Sequence, residues 1–358
     1  MINVTKSFLP PFEEYQDKIK GIWESTWLTN NGPLVQELEA RLKEYLGVKN
    51  LLFVTNGTIA LQLAIKALHL QGEIITTPFS YCATTTSILW ENVKPVFVDI
   101  EADTYNIDAD LIEQAITDKT TAIMATHVYG RPCNVEKIEQ IARKYNLKVI
   151  YDGAHSFGAT YKGNSVLSYG DVATCSFHAT KVFHTVEGGC VICKDDELLK
   201  VLAHYRSFGH KNDDYYMMGI NAKNSEFHAA MGLVNLPHVA DIIEKRKIVS
   251  EKYNELLNWD KLKQPRHNIE GFVYNYAYYP IMLPSEQKLL EVTAALKKED
   301  IVPRRYFYPS LNQLPYLDFY TPCPVSERLS VAALSLPLYY DLALEDAERI
   351  AKIVNSTL

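Results

Sequence analysis

Short apolar runs alternating with stretches of helical periodicity constrain this chain more than any other feature of its sequence. The runs at 51–54, 73–77, 94–100, 121–127 and 148–152 are separated by helix-like stretches at 58–68, 80–91, 108–116 and 135–145. Parallel neighbours need crossovers of that length, so the pattern predicts βαβ units and a largely parallel sheet with helices on both faces. Two further runs, 172–177 and 189–194, add strands joined by a short polar segment. After Gly209 the pattern changes. A helix at 225–236 meets Pro237, a helix-interrupting residue, and a long Glu- and Lys-rich amphipathic helix follows at 241–257. A strand crowded with tyrosines is expected at 272–283 and a helix at 285–299. The reading is a large α/β domain over 1–237 and a smaller α+β domain over 238–358, in keeping with a prior of roughly 150 residues per domain.

Charge and composition narrow the function. The 36 Lys and Arg against 43 Asp and Glu leave a net charge of −7, which argues against a broad footprint on nucleic acid. Apolar residues make up 47% and charged residues 22%, values of an ordinary globular chain rather than a disordered or fibrous one. No apolar run reaches the roughly 18 residues of a membrane span. The start, Met1-Ile2-Asn3-Val4-Thr5-Lys6, lacks a basic stretch leading into an apolar one. A cytoplasmic enzyme is expected. The six cysteines are too few for a disulfide framework in a chain this long. Cys190 and Cys193 form a C-x-x-C, but on a strand residues three apart face opposite ways, and no second pair completes a zinc set. Buried thiols and no metal are expected.

Three places can carry chemistry. The run at 51–54 enters Thr55-Asn56-Gly57-Thr58 and then a helix, and a helix N-terminus with free N–H groups attracts anions. Asn and Gly there are equally plain capping residues. The run at 148–152 ends in Asp152, followed by Gly153-Ala154-His155. Ligands of open α/β sheets bind beyond such strand ends, and a buried carboxylate needs a cationic or hydrogen-bonding partner, for which a protonated pyridine nitrogen would serve. A turn cap is the alternative. Lys181 follows a strand ending in Ser176 and precedes the turn at Gly188-Gly189. At an apolar sheet mouth, desolvation is expected to lower its pKa and free the amine as a Schiff-base former.

Together these places are similar to pyridoxal-phosphate (PLP) enzymes of fold type I. The string S-F-H-A-T-K-V-F-H-T-V-E-G-G (176–189) resembles the lysine motif of the DegT/StrS-type sugar-nucleotide aminotransferases. T-N-G-T-I-A-L resembles that family's phosphate turn and T-P-F-S-Y-C-A-T-T-T-S-I its ring-stacking segment. K-P-V-F-V-D-I, T-H-V-Y-G, Y-D-G-A-H-S-F-G-A, G-I-N-A-K-N-S-E-F-H-A-A-M-G-L and L-S-L-P-L-Y extend the likeness over nearly the whole chain. The resemblance implies that Lys181 holds PLP and moves the proton, and that Asp152 pairs with the pyridinium nitrogen. It implies that Tyr81 and Ala154 flank the ring and that His155 stands near the cofactor's phenolic oxygen. Gly57, Thr58 and Ser176 would bind the phosphate, with Asn221 reaching it from a second subunit of a homodimer with shared sites. His184, Arg304 and Arg305 are candidate substrate contacts, the two arginines equally readable as members of surface ion pairs.

The activity so implied is transfer of an amino group from L-glutamate to a keto sugar nucleotide. The motif variant is most similar to enzymes acting at carbon 4 of dTDP-4-dehydro-6-deoxy-D-glucose, for O-antigen or other surface-glycan synthesis. Alternatives are a carbon-3 aminotransferase on a dTDP-linked 3-keto sugar and a non-catalytic regulatory relative. A related sugar dehydratase would carry His in place of Lys181, and a nicotinamide dehydrogenase would need a G-x-G-x-x-G that 51–58 does not supply. The chain departs from the family pattern at Gly153 (usually Ala), Val186 (usually Gly) and Lys223-Asn224 (usually Arg-Met). A His often found near the substrate is missing from 308–313.

Overall fold

The computed structural model describes residues 1–266 and 268–358. Its centre is a seven-stranded sheet built from β1 (Asn50–Val54), β2 (Glu73–Thr76), β3 (Lys94–Phe97), β4 (Thr120–Thr126), β5 (Lys148–Asp152), β6 (Val172–Ser176) and β7 (Gly189–Cys193). The strands lie in the order β1-β7-β6-β5-β4-β2-β3. All run parallel except β7, which is antiparallel to both β1 and β6. The α/β fold class expected from the alternating runs is present, with each of the seven strands within a few residues of its expected place.

Both faces of the sheet are covered. Leu51, Phe53, Cys190 and Ile192 face one layer, made by α2 (Pro33–Leu46), α5 (Val135–Tyr145) and α7 (Glu226–Asn235), with α1 (Phe12–Ser25) packed on α7. Leu52, Val54, Val191 and Cys193 face the other, made by α3 (Gly57–Ala67), α4 (Cys82–Trp90) and α6 (Asp196–Arg206). The period-two alternation therefore separates Cys190 from Cys193 by the thickness of the sheet. Both are free, buried thiols, and no cluster of metal-ligating side chains occurs among the described residues.

The C-terminal part has its own apolar core. Val249 and Tyr253 of α8 (Val239–Leu256) pack with Leu289 and Val292 of α9 (Glu286–Lys298) and with Ile350 and Val354 of the last helix, Leu344–Thr357. The strand pair Tyr279–Met282 and Ala333–Leu336 completes it. The chain's first residues join this core, Ile2–Asn3 pairing with Ile301–Val302.

Two elements differ from expectation. Residues 108–116 form turns and one 3-10 turn, Glu113–Ala115, instead of a helix. Asp108 there accepts from the Asp110 N–H at 2.9 Å, a local side-chain bond that competes with helix. The expected strand at 272–283 is two short strands, Phe272–Val273 and Tyr279–Met282, in different sheets. Between them, Tyr276 adopts a left-handed backbone at φ 51°.

Candidate active site

The carboxyl ends of β5 and β6 and the start of α3 open into one cavity of about 390 Å³. Of the residues singled out in the sequence, Gly57, Thr58, Tyr81, Asp152, Ala154, His155, Ser176, Lys181 and Arg304 line it.

Asp152 is the last residue of β5 and is nearly buried. Its Oδ2 accepts from the Thr84 hydroxyl at 2.7 Å and its Oδ1 from the Ala154 N–H at 3.1 Å. Thr84 stands at the head of a chain of hydroxyls. Thr126 donates to Ser80 at 3.1 Å, and Ser80 lies 2.8 Å from Thr84. With the Thr84 proton committed to Asp152, the Ser80 proton points to Thr84, so the relay runs toward the carboxylate. Burial pushes the Asp152 pKa above its ordinary value, while Thr84, Ala154 and the Lys181 charge pull against it. The site therefore holds a carboxylate that a further cation would stabilise.

Lys181 donates to the Tyr278 hydroxyl at 3.0 Å. Burial pulls its pKa down, but Tyr278, Tyr306 and Asp152 more than offset that, and its pKa lies above the ordinary lysine value. This corrects the expectation of a lowered pKa, which weighed desolvation without the phenols that tertiary packing brings to the amine.

His155 is buried, and its pKa lies well below the ordinary value because burial disfavours the imidazolium and Lys181 repels it. The ring is neutral near pH 7, stacked on Phe307 at 5.5 Å between centroids and edge-on to Tyr278 at 4.9 Å. Its Nδ1 has no hydrogen-bond partner among the described residues.

The turn into α3 forms an anion cradle. The Asn56 side chain caps the Ile59 N–H at 2.9 Å, and the Asn56 carbonyl takes the Ala60 N–H. The N–H groups of Gly57 and Thr58 meet no acceptor among the described residues. A Cβ at position 57 would lie 3.0 Å from the Ser176 Cβ, so glycine allows this close approach of helix and strand. Paired N–H groups at the positive end of a helix, beside a serine hydroxyl, suit a phosphate. The cradle, the partner-hungry Asp152 and the orphaned His155 nitrogen all fit a pyridine ring that carries a phosphate and a phenolic oxygen.

Three of the sequence candidates lie elsewhere. His184 is buried against the Phe8 carbonyl at 2.6 Å and the Asn235 side chain, away from the cavity. Arg305 is turned to Glu286 at 2.8 Å and stacks on Tyr308. Neither lines the cavity. Asn221 lies on the surface outside the cavity and accepts from Lys223 at 2.8 Å. Sequence reasoning missed Thr84, Tyr278, Tyr306 and Phe307. Thr84 sat within a quoted motif but carried no signal of its own, and the other three approach only through the fold of the C-terminal part.

A model of the DegT/DnrJ/EryC1/StrS aminotransferase family matches residues 12–355. The chain belongs to that family. It is 40% identical to the dTDP-4-amino-4,6-dideoxy-D-glucose transaminase of Shigella dysenteriae, over 99% of this chain and 98% of that one. It is similar to the structure of DesI in the presence of its TDP-sugar product, with a TM-score of 0.94 and 31% identity, covering 99% of this chain and 92% of the other. It is also similar to Spr1654 from Streptococcus pneumoniae in its PLP form, with a TM-score of 0.90 and 26% identity, covering 99% and 100%. This DegT/DnrJ/EryC1/StrS protein is a sugar-nucleotide aminotransferase, and its cofactor is PLP. No helix among its described residues is long and apolar enough to cross a membrane.

Proposed function

We propose that this aminotransferase moves an amino group from L-glutamate to carbon 4 of dTDP-4-dehydro-6-deoxy-D-glucose, giving dTDP-4-amino-4,6-dideoxy-D-glucose in the cytoplasm for surface-glycan synthesis. One observation carries the chemistry: a buried carboxylate, a lysine and an open N–H cradle share the same cavity. The choice of sugar and carbon rests on the 40% identity to the Shigella dysenteriae enzyme of that name.

When bound, PLP supplies the electron sink for bond-breaking at the substrate carbon. Gly57 and Thr58, with Ser176, would hold its phosphate. Asp152, which accepts one hydrogen bond on each oxygen from Thr84 and Ala154, would face the ring nitrogen and keep a proton there. Tyr81 and Ala154 would cover the two ring faces, and His155 would offer Nδ1 toward the phenolic oxygen. Lys181, once its amine is free, takes the proton from one carbon as general base and returns it to another as general acid. Arg304 stands exposed at the rim with no carboxylate partner among the described residues, available to a nucleotide diphosphate.

The site is proposed to need two chains. Asn221, the expected contact to the other subunit's cofactor phosphate, lies beside the hairpin His210–Lys211/Asp214–Tyr215. There Phe208, Tyr215, Tyr216, Met218 and Ile220 are exposed together, a patch of the kind a second copy covers. Within one chain, we place the division between cofactor-holding and smaller parts near residue 237, at the 3-10 turn Leu236–His238.

The test is the purified protein with [15N]glutamate and a panel of keto sugar nucleotides, with products read by NMR. Label at carbon 4 of the dTDP-linked 4-keto sugar is expected. Label at carbon 3, or on a sugar carried by another nucleotide, would overturn the substrate; label on none would overturn the function.

A further inference from the structure

The free end of Lys181 is held by a residue that no sequence motif announced. Its Nζ donates to the Tyr278 hydroxyl at 3.0 Å and lies 5.6 Å from the centroid of that ring. Tyr278 is 7% exposed, and its ring is set edge-on to His155 and to Tyr306, 4.9 and 5.3 Å between centroids. The backbone that delivers it is anchored from three directions. Asn275 donates to the carbonyls of His155 and Phe157 at 2.7 and 2.8 Å. Arg246 of α8 donates to the carbonyls of Tyr276 and Ala277 at 2.8 and 2.7 Å. The Tyr274 hydroxyl donates to the Tyr278 carbonyl at 2.9 Å. A phenol fixed through both ring and backbone is a preorganised partner for a flexible amine.

We propose that Tyr278 is the positioning residue for Lys181: its hydroxyl holds the lysine amine in the cavity whenever that amine is not bonded to the cofactor. The inference rests on the role proposed above for Lys181. A four-carbon stem gives a released amine many rotamers. One charge-assisted bond to a fixed phenol selects those that keep the nitrogen in the cavity. As Lys181 takes a proton from the substrate carbon it becomes an ammonium, and its bond to Tyr278 strengthens. As it gives that proton to the second carbon it returns to the neutral amine. Tyr278 itself gains and loses no proton. Burial alone would drive the released amine toward the neutral state, and Tyr278 opposes this most strongly.

The test is competitive acetylation of Lys181 across pH in the full-length protein before cofactor is added, read by mass spectrometry of the Lys181 peptide. In Tyr278→Phe, which keeps the ring packing and removes the oxygen, the Lys181 midpoint is expected to fall by roughly one pH unit, the size of one charge-assisted bond. An unchanged midpoint would overturn the proposal. Should Tyr278→Phe not fold, [13Cζ]tyrosine labelling reads the contact from the other side. The Tyr278 resonance should move in Lys181→Ala, and an unmoved resonance would equally overturn it. Neither readout uses turnover, so failure of the aminotransferase reading leaves both intact and distinguishable.

Discussion

At the scale of single residues, the proposed chemistry depends most on Asp152. A neutral amide cannot hold the proton of a pyridinium, so Asp152→Asn should lower turnover by several orders of magnitude with the fold kept. A loss below about tenfold, roughly 1.4 kcal/mol of barrier, would show that another group serves the ring nitrogen. Val186 is a different kind of residue. It adopts φ 69°, a region costly for a β-branched side chain, at the position where the family usually has glycine. Val186→Gly should raise stability by about 1 kcal/mol, less what the freer unfolded chain gives back. That would be read as a higher urea midpoint at unchanged slope, and a lower midpoint would contradict the strain. Gly153, another departure, has its own reason: a Cβ there would lie 2.2 Å from the Leu167 side chain. Asp152, Gly57 and Lys181 were legible in sequence because they sit at strand ends and turns. Thr84 and Tyr278 were not, being 68 and 97 residues from the groups they touch.

Among the elements, the central strands were readable because buried parallel strands are continuous apolar runs between turns. The segment 274–278 was not, because its tyrosines imitate a strand while its backbone is held by side chains. Asn275 holds two carbonyls and accepts the Ala277 N–H at 3.2 Å. Asn275→Ala would leave those buried groups unsatisfied, at about 1–3 kcal/mol for a stranded polar group. Reduced turnover should accompany the stability loss as Tyr278 drifts, and full stability in thermal melts would contradict the anchor. The start of α2 is held in a similar way. The Glu226 carboxylate of α7 accepts from the Leu34 and Val35 N–H groups at 2.7 and 3.1 Å. Glu226→Ala should cost about 1–2 kcal/mol, the range of a lost N-terminal cap; unchanged denaturation would show the cap is dispensable. That carboxylate lies 192 residues from Leu34, beyond any local pattern.

For the whole molecule, the cavity at the strand ends of the central sheet is completed by a C-terminal part that supplies Tyr278, Tyr306 and Arg304. With the shared site proposed above, Asn221→Ala should weaken PLP retention, and mixing it with Lys181→Ala should restore activity. The mixed dimer can collect both defects in one site and leave the other intact. No recovery after verified subunit exchange would contradict sharing, as would a fully active monomer in sedimentation. Whether Lys181 carries PLP and glutamate aminates it is read by borohydride reduction of the PLP-loaded protein followed by mass spectrometry, before and after incubation with glutamate. A yellow protein that borohydride bleaches is expected, with a reduced pyridoxyl group on the Lys181 peptide, and loss of that capture once glutamate has aminated the cofactor. Capture on another lysine, or capture at Lys181 that glutamate leaves unchanged, would contradict it.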